Sequence, residues 1–269
     1  DLHSFPTRRS SDLAIMQDKY GFLWIGTEEG LNRYDGIMIK SYSICPQAAG
    51  KYISSLYGTK KNIWIGTDEG IYIYAYATET FTYFDLTTPN NVRITSIVNH
   101  ILQDKDGNLW FSTNGQGLFR YNLSKNYLEQ YEFTSAFGIV ASTMADSDNQ
   151  IWALTNQGES GVYKLNKAEN KFEPFGLLYN AGNHHSQALA MLEDSEQTLW
   201  LGTWECGLQK IDKYTRQTTT YLHPTDGKGV THIHSLMEYA PHQLLIGSDD
   251  GLLLFNTLTE EYKLFTENE

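Results

Sequence analysis

The chain of 269 residues has little of several features that would narrow its function. Its two cysteines, Cys45 and Cys206, are too few for a disulfide framework and have no metal-site spacing. Its 20 Lys and Arg against 32 Asp and Glu give a formal net charge of −12, which repels nucleic-acid phosphates and anionic lipid. No apolar run approaches the ~18 residues that cross a bilayer as a helix. We therefore predict no nucleic-acid partner, no membrane contact by this segment, and no metal or other cofactor.

What the chain does contain is an internal repeat. A Trp inside a short apolar segment recurs at intervals of 40 to 48 residues, and Leu takes its place in the last copy. The six positions are Trp24, Trp64, Trp110, Trp152, Trp200 and Leu245. Self-similarity at this period, with strand rather than helix patterning, is typical of β-propeller blades. We predict an all-β fold of six four-stranded antiparallel blades.

Each copy reads as four short strands separated by Gly, Asn and Asp turns. In the third copy strands A to D are predicted at Val98–Gln103, Leu109–Thr113, Leu118–Tyr121 and Tyr127–Tyr131. Gly at the end of the B–C loop predicts the left-handed residue of a short hairpin. The blades are predicted at about 14–42, 52–84, 94–131, 138–175, 186–221 and 231–265. Together they make residues 14–269 one propeller domain.

Residues 1–13 are predicted to lie outside this fold. They resemble the translation of a short-read sequencing adapter, so we expect a non-native, disordered or irregular segment and a native chain that starts near Ala14. The last copy ends shortly after Phe265. We therefore expect the sequence to be a fragment, with the parent protein continuing further and any signal peptide lost upstream.

The Trp residues and the acidic turns both have structural interpretations. A large flat side chain repeated in strand B predicts packing between blades rather than contact with a ligand. The turn that begins at Asp104 could be mistaken for a calcium loop. An EF-hand requires Glu at its twelfth position, where this sequence has Gly115. We therefore interpret the acidic turns as structural.

The segment Gly21–Gly36, with its Phe-Leu-Trp-Ile-Gly-Thr and Asn-Arg-Tyr-Asp-Gly runs, resembles the two-component regulator propeller repeat. It is similar to the opening blade of the sensors of Bacteroides-type hybrid two-component systems. The resemblance implies an incomplete part of a seven-bladed propeller in a periplasmic, oligosaccharide-sensing protein. It also implies a second propeller and an immunoglobulin-like domain in the same parent chain, followed by a histidine kinase, and a homodimeric parent. The segment itself would not be an enzyme.

The candidate ligand-binding residues are Trp204, Glu205, His184 and His185. Trp204 has no counterpart in the other copies, and a flat aromatic beside a carboxylate suits stacking on a sugar ring with hydrogen bonds to its hydroxyls. The loop before the fifth blade, which carries His184 and His185, should open on the same face. The alternative is that Trp204 covers a neighbouring loop or an inter-propeller contact.

Two further histidines have a less specific interpretation. Alternation along strand A would point His232 and His234 to one side, although structural or solvated histidines are the more frequent outcome.

Three functions remain open from the sequence. The first is an oligosaccharide or other small-molecule sensor. The second is a propeller enzyme, because some strand motifs resemble streptogramin lyases and acidic turns occur in glycosidase propellers. A glycosidase needs a facing pair of carboxylates, whereas most acidic residues here lie in repeated turns. The third is a protein-interaction scaffold.

Overall fold

The computed structural model describes residues 12–44, 52–133, 138–155, 161–176, 187–222, 230 and 232–265. Over these residues the protein is all β. Its 24 strands form six four-stranded antiparallel sheets, and the described ranges contain no helix. Consequently, no helix in this part of the chain has the length and apolar character of a membrane span. The predicted fold class, a β-propeller with six four-stranded blades, is confirmed.

The first compact unit, Asp1–Glu132, contains blades one to three. Within each blade, strands that follow one another in sequence are hydrogen-bonded neighbours. The strands are β1 Asp12–Gln17, β2 Leu23–Thr27, β3 Gly30–Tyr34, β4 Ile39–Tyr42, β5 Ile53–Gly58, β6 Asn62–Thr67, β7 Gly70–Ala75, β8 Thr80–Tyr83, β9 Val98–Gln103, β10 Leu109–Thr113, β11 Leu118–Asn122 and β12 Tyr127–Tyr131.

The second compact unit, Phe133–Glu269, contains blades four to six with the same meander order. Its strands are β13 Val140–Ala145, β14 Ile151–Thr155, β15 Val162–Asn166, β16 Lys171–Gly176, β17 Ala188–Glu193, β18 Leu199–Thr203, β19 Leu208–Ile211, β20 Thr218–Tyr221, β21 Ile233–Ala240, β22 Gln243–Ser248, β23 Gly251–Asn256 and β24 Tyr262–Phe265.

Strands β9, β10 and β12 occupy the ranges predicted for strands A, B and D of the third copy, and β11 is one residue longer than predicted. At the start of the chain, β1 begins at Asp12, two residues before the predicted boundary, because the backbone of Asp12 pairs with Thr27. The rest of the adapter-like segment, residues 1–11, lies outside the described residues.

Four of the five repeated Trp residues, Trp24, Trp64, Trp152 and Trp200, pack between consecutive blades, as predicted. All five are at most 3% exposed. Trp24 lies in a cluster with Ile53 and Ile63 of blade two, and Trp200 packs with Leu244 and Phe255 of blade six. Each of these four Trp residues therefore adds a large apolar area to the layer between its own blade and the next, while Trp110 packs on Tyr131 of its own blade.

A buried Asp holds the Trp of four blades by a hydrogen bond. The indole Nε1–H of the Trp donates to Oδ2 of the Asp six residues earlier. The pairs are Trp24–Asp18 at 2.7 Å, Trp110–Asp104 at 2.8 Å, Trp152–Asp146 at 3.0 Å and Trp200–Asp194 at 2.7 Å. The other carboxylate oxygen accepts backbone N–H groups of the A–B turn. The acidic turns are therefore structural, and the described residues hold no group of three or more potential metal ligands.

Blade two departs from this arrangement. Gly58 stands six residues before Trp64, so no carboxylate reaches the indole. The Trp64 Nε1–H is buried without a hydrogen-bond partner among the described residues. A side chain at position 58 would also meet the Met16 sulfur, since an added Cβ would lie 3.0 Å from it. Met16 of blade one thus packs against position 58, where four other blades have the carboxylate.

The first unit also contains a histidine that resists protonation. Burial lowers the pKa of His100, on β9, to about 4 because the imidazolium is poorly solvated there. An unfolded His takes up its proton near pH 6.5, so between about pH 6.5 and 4 the unfolded state binds more protons. We expect the free energy of unfolding to fall by about 1–3 kcal/mol over this interval as the pH decreases. Urea denaturation at a series of pH values measures this loss. In His100→Gln the loss should be smaller, and an equal loss in the variant would contradict the assignment.

Candidate functional site

The loop after β18 carries the two predicted site residues that the structure describes. The backbone N–H of Trp204 donates to the carbonyl of Gln187, the residue before β17, at 2.9 Å. The B–C turn of blade five therefore lies beside the start of its own strand A. His184 and His185, the other two predicted site residues, lie outside the described residues.

Trp204 differs from the five repeated Trp residues in its exposure, which is 39%. Its ring stacks on His232, with the ring centroids 3.6 Å apart and the planes 24° from parallel. Trp204 thus covers the segment before β21, as the alternative interpretation expected. A substantial part of the indole nevertheless remains accessible to a ligand.

The turn that carries Trp204 is tightly held. Thr203 Oγ1 donates to the Gly207 carbonyl at 2.7 Å, and Cys206 is buried. Gly207 has a φ of 66°, and a Cβ there would lie 2.5 Å from the carbonyls of Tyr221 and Leu222. Only Gly fits this position, so the turn is fixed against the end of β20.

Glu205 is exposed at the tip of this turn, with a φ of 100°. A side chain in this backbone region costs about 1–3 kcal/mol unless its surroundings impose it. The contacts of Thr203, Cys206 and Gly207 on either side supply that constraint. The Glu205 carboxylate is therefore presented next to Trp204 on a rigid turn.

Asp249, in the B–C turn of blade six, joins the two histidines of the neighbouring segment. His232 Nδ1 donates to Asp249 Oδ2 at 2.5 Å, and His234 Nε2 donates to Asp249 Oδ1 at 2.6 Å. Hydrogen bonds from His232 and then His234 hold the pKa of Asp249 below its usual value. Both imidazoles therefore meet one carboxylate, although His232 precedes β21 and has a φ of 45°, so that strand alternation is not what places it.

We call Trp204, His232, Asp249 and His234 the stacked cluster. Asp249 could not be singled out from the sequence, because the B–C turns of several blades carry a Glu or Asp at the same place. The sequence signal that could have indicated a polar cluster here was the pair of histidines, His232 and His234, on either side of Ile233.

The charge around the stacked cluster is negative. Glu205, Asp249 and Asp250 lie in the B–C turns of blades five and six. None of the described residues at this end of the two blades is Lys or Arg. These residues are Gln187, Thr203–Gly207, Leu222, Val230, His232 and Ser248–Gly251. An accessible indole beside carboxylates and imidazoles can stack on a ring and accept hydrogen bonds from its hydroxyls.

The fold and the repeat define this protein as a β-propeller. Two of its segments, residues 4–29 and 92–115, match the family model of the two component regulator propeller. This match confirms the resemblance seen in the sequence for the two segments that it covers.

The chain is similar to a histidine kinase in sequence and to solved propellers in structure. Histidine kinase P4 of Formosa agariphila is 24% identical over 95% of this chain, which spans 20% of that protein. The extracellular domain of a hybrid two component system of B. thetaiotaomicron superposes with a TM-score of 0.81 at 22% identity, over 98% of this chain and 34% of that one. The virginiamycin B lyase of Staphylococcus aureus has a TM-score of 0.75 at 14% identity, over 97% and 86% of the two chains. At these identities the structural likenesses establish the propeller fold.

Proposed function

We propose that this segment is the ligand-binding sensor propeller of a periplasmic signal-transduction histidine kinase, and that its ligand is an oligosaccharide. The family match and the similarity to a histidine kinase support the signalling part of this proposal. The similar extracellular domain from a hybrid two component system supports a location outside the cytoplasm. On this proposal the parent protein also contains a second propeller and an immunoglobulin-like domain and acts as a homodimer.

The observation that supports ligand binding most directly is the accessible indole of Trp204. The other Trp residues are buried by the repeat, whereas Trp204 lies outside the repeat and on a rigid turn. Indole rings bind the apolar face of a sugar ring, and a neighbouring carboxylate such as Glu205 accepts hydrogen bonds from hydroxyl groups. A signalling module requires a ligand that can reach it, and this site is open to solvent.

Trp204→Ala tests this role. We expect the variant to bind its oligosaccharide at least about tenfold more weakly, because the indole supplies contact area for the sugar. The variant should fold normally, because only part of the indole is buried. A panel of soluble glycans screened against the full chain, followed by calorimetry, gives the affinities.

The matched control for this test is Tyr214→Ala. Tyr214 is 81% exposed and lies in the C–D turn of the same blade, at the opposite end of the strands. Binding should be unchanged in this variant. Equal affinities of Trp204→Ala and the unmodified chain would rule out the site.

A lyase is the second candidate function. The structural likeness to virginiamycin B lyase covers 86% of that enzyme, and the accessible His232–Asp249 pair has the form of a general base with its orienting carboxylate. Quinupristin, with which that lyase was crystallised, is the probe. Liquid chromatography should show no conversion by this chain. Conversion that His232→Ala abolishes would establish the lyase instead.

A further inference from the structure

We propose that blade six supplies the second half of the oligosaccharide site: Asp249 and His234 bind hydroxyl groups of a neutral sugar whose neighbouring ring stacks on Trp204. This inference rests on the proposed function. It adds two ligand-binding residues and the charge class of the ligand, neither of which follows from the likeness to known sensors.

The contacts of the stacked cluster place these groups next to one another. Trp204 covers one face of the His232 imidazole, and Asp249 contacts the Nδ1 edge of the same ring. His234 then contacts the other oxygen of Asp249. The aromatic surface and the polar groups are therefore continuous across two blades, with His232 between them.

The hydrogen-bonding capacity of Asp249 is only partly used within the cluster. An ionised carboxylate has about four lone-pair sites, and the two imidazoles occupy one on each oxygen. The Asp249 side chain is 53% exposed and that of His234 is 48% exposed. Adjacent hydroxyls of a sugar can donate to the remaining sites of Asp249, and the second ring nitrogen of His234 is one further hydrogen-bonding group.

The cluster is also pre-organised. The two imidazoles fix the orientation of the Asp249 carboxylate, and the stacking contact fixes His232 against a turn that is itself held by Gly207. A ligand that meets groups already in position loses little of its binding free energy to ordering them.

The charge of the site selects against anionic sugars. Glu205, Asp249 and Asp250 lie within two adjacent turns, and the described residues at this end of blades five and six include no Lys or Arg. A uronate or sulfated sugar would be repelled by these carboxylates, whereas a neutral sugar offers them hydroxyl donors.

Calorimetry with defined probes tests the proposal on the full chain. The neutral probes are cellohexaose, laminarihexaose, mannohexaose and xylohexaose, and the anionic probe is hexagalacturonic acid. We expect at least one neutral hexaose to bind and hexagalacturonic acid not to bind. Asp249→Asn and His234→Ala should each weaken the neutral binding about tenfold.

His242→Asn is the matched control, since His242 lies in the A–B turn of the same blade at the opposite end of the strands. It should bind as the unmodified chain does. Thermal unfolding of each variant verifies folding. If Asp249→Asn is destabilised, His234→Gln replaces it, because His234 is about half exposed and its substitution leaves the carboxylate in place.

The outcomes separate this inference from the proposed function. Loss of binding in Trp204→Ala with unchanged binding in Asp249→Asn and His234→Ala would overturn the role of blade six and leave the Trp204 site intact. Tighter binding of hexagalacturonic acid than of every neutral hexaose would overturn the charge class alone. Absence of binding by all five probes to the unmodified chain would overturn both proposals.

Discussion

Replacing Trp110 by Ala should lower the free energy of unfolding by about 3–5 kcal/mol. Trp110 is 1% exposed, and its ring packs 5.6 Å from the centroid of Tyr131 with the Arg120 guanidinium over it. The substitution leaves a cavity of indole size in the blade. It also removes the indole N–H that donates to Asp104 Oδ2 at 2.8 Å, and Asp104 is itself buried.

Urea denaturation measures the loss, and Trp204→Ala is the matched control because the same substitution is made at a half-exposed position. That control should cost much less. Trp110→Phe should fall between the two, since it keeps most of the apolar volume and loses the hydrogen bond to Asp104. Equal stability of Trp110→Ala and the unmodified chain would show that the packing of blade three does not depend on Trp110.

Replacing Lys213 by Met should destabilise the second unit by about 3–5 kcal/mol. The Lys213 ammonium is 2.5 Å from Glu193 Oε1 and 3.7 Å from Asp146 Oδ2, and all three side chains are at most 9% exposed. The more exposed carboxylate of Asp148 lies 3.6 Å away. Without the cation, the two buried carboxylates would keep the hydrogen bonds from Trp152 and Ser147 but would lose the positive charge between them.

The pH dependence of this effect has a definite sign. Burial alone would lower the pKa of Lys213, but the hydrogen bond to Glu193 and the charges of Asp146, Glu193 and Asp148 raise it above its usual value. The stabilisation is therefore fully present below about pH 10.4, the pKa of an unfolded Lys, and is lost as the pH rises through the folded value.

Chemical denaturation at neutral pH and above pH 10.4 tests both the size and the sign, with Lys167→Met as the control. Lys167 is exposed in a turn of blade four. Its substitution should change stability by less than about 1 kcal/mol. A Lys213→Met variant as stable as Lys167→Met at neutral pH would mean that the buried charges are compensated by other groups.

Much of the fold follows from local patterns that each blade repeats. Alternation and turn residues place strands β9 and β10, and the repeated Trp identifies the layer between blades, because both signals depend only on neighbours in sequence. The hydrogen bond between Asp104 and Trp110 could also have been predicted from the sequence, since an Asp stands six residues before four of the five Trp. The structural interpretation of the acidic turns was therefore correct, but it did not name the indole as the partner of the carboxylate.

The site was less predictable, for a physical reason. Trp204 could be singled out because it breaks the repeat, but its stacking on His232 depends on how two blades approach each other. Similarly, Ser147 of blade four donates from its N–H and hydroxyl to Glu193 of blade five, and Ser195 bonds Glu238 of blade six in the same way. Contacts of this kind join side chains more than forty residues apart and leave no periodic trace.

The hydrogen bond between Asp and Trp also bears on how a repeat of this kind can be duplicated. Both partners lie within one copy of the repeat, so duplication of the corresponding gene segment transmits a complete, self-satisfied unit. Blade two shows that a copy can lack the bond: Gly58 stands where four other blades have the acceptor Asp, and the unpaired indole N–H of Trp64 costs about 1–3 kcal/mol. Because the stability of a repeat protein sums over its units and interfaces, one imperfect copy is carried by its neighbours. A single blade, and with it a single loop, can therefore change while blades one, three, four and five keep the bond.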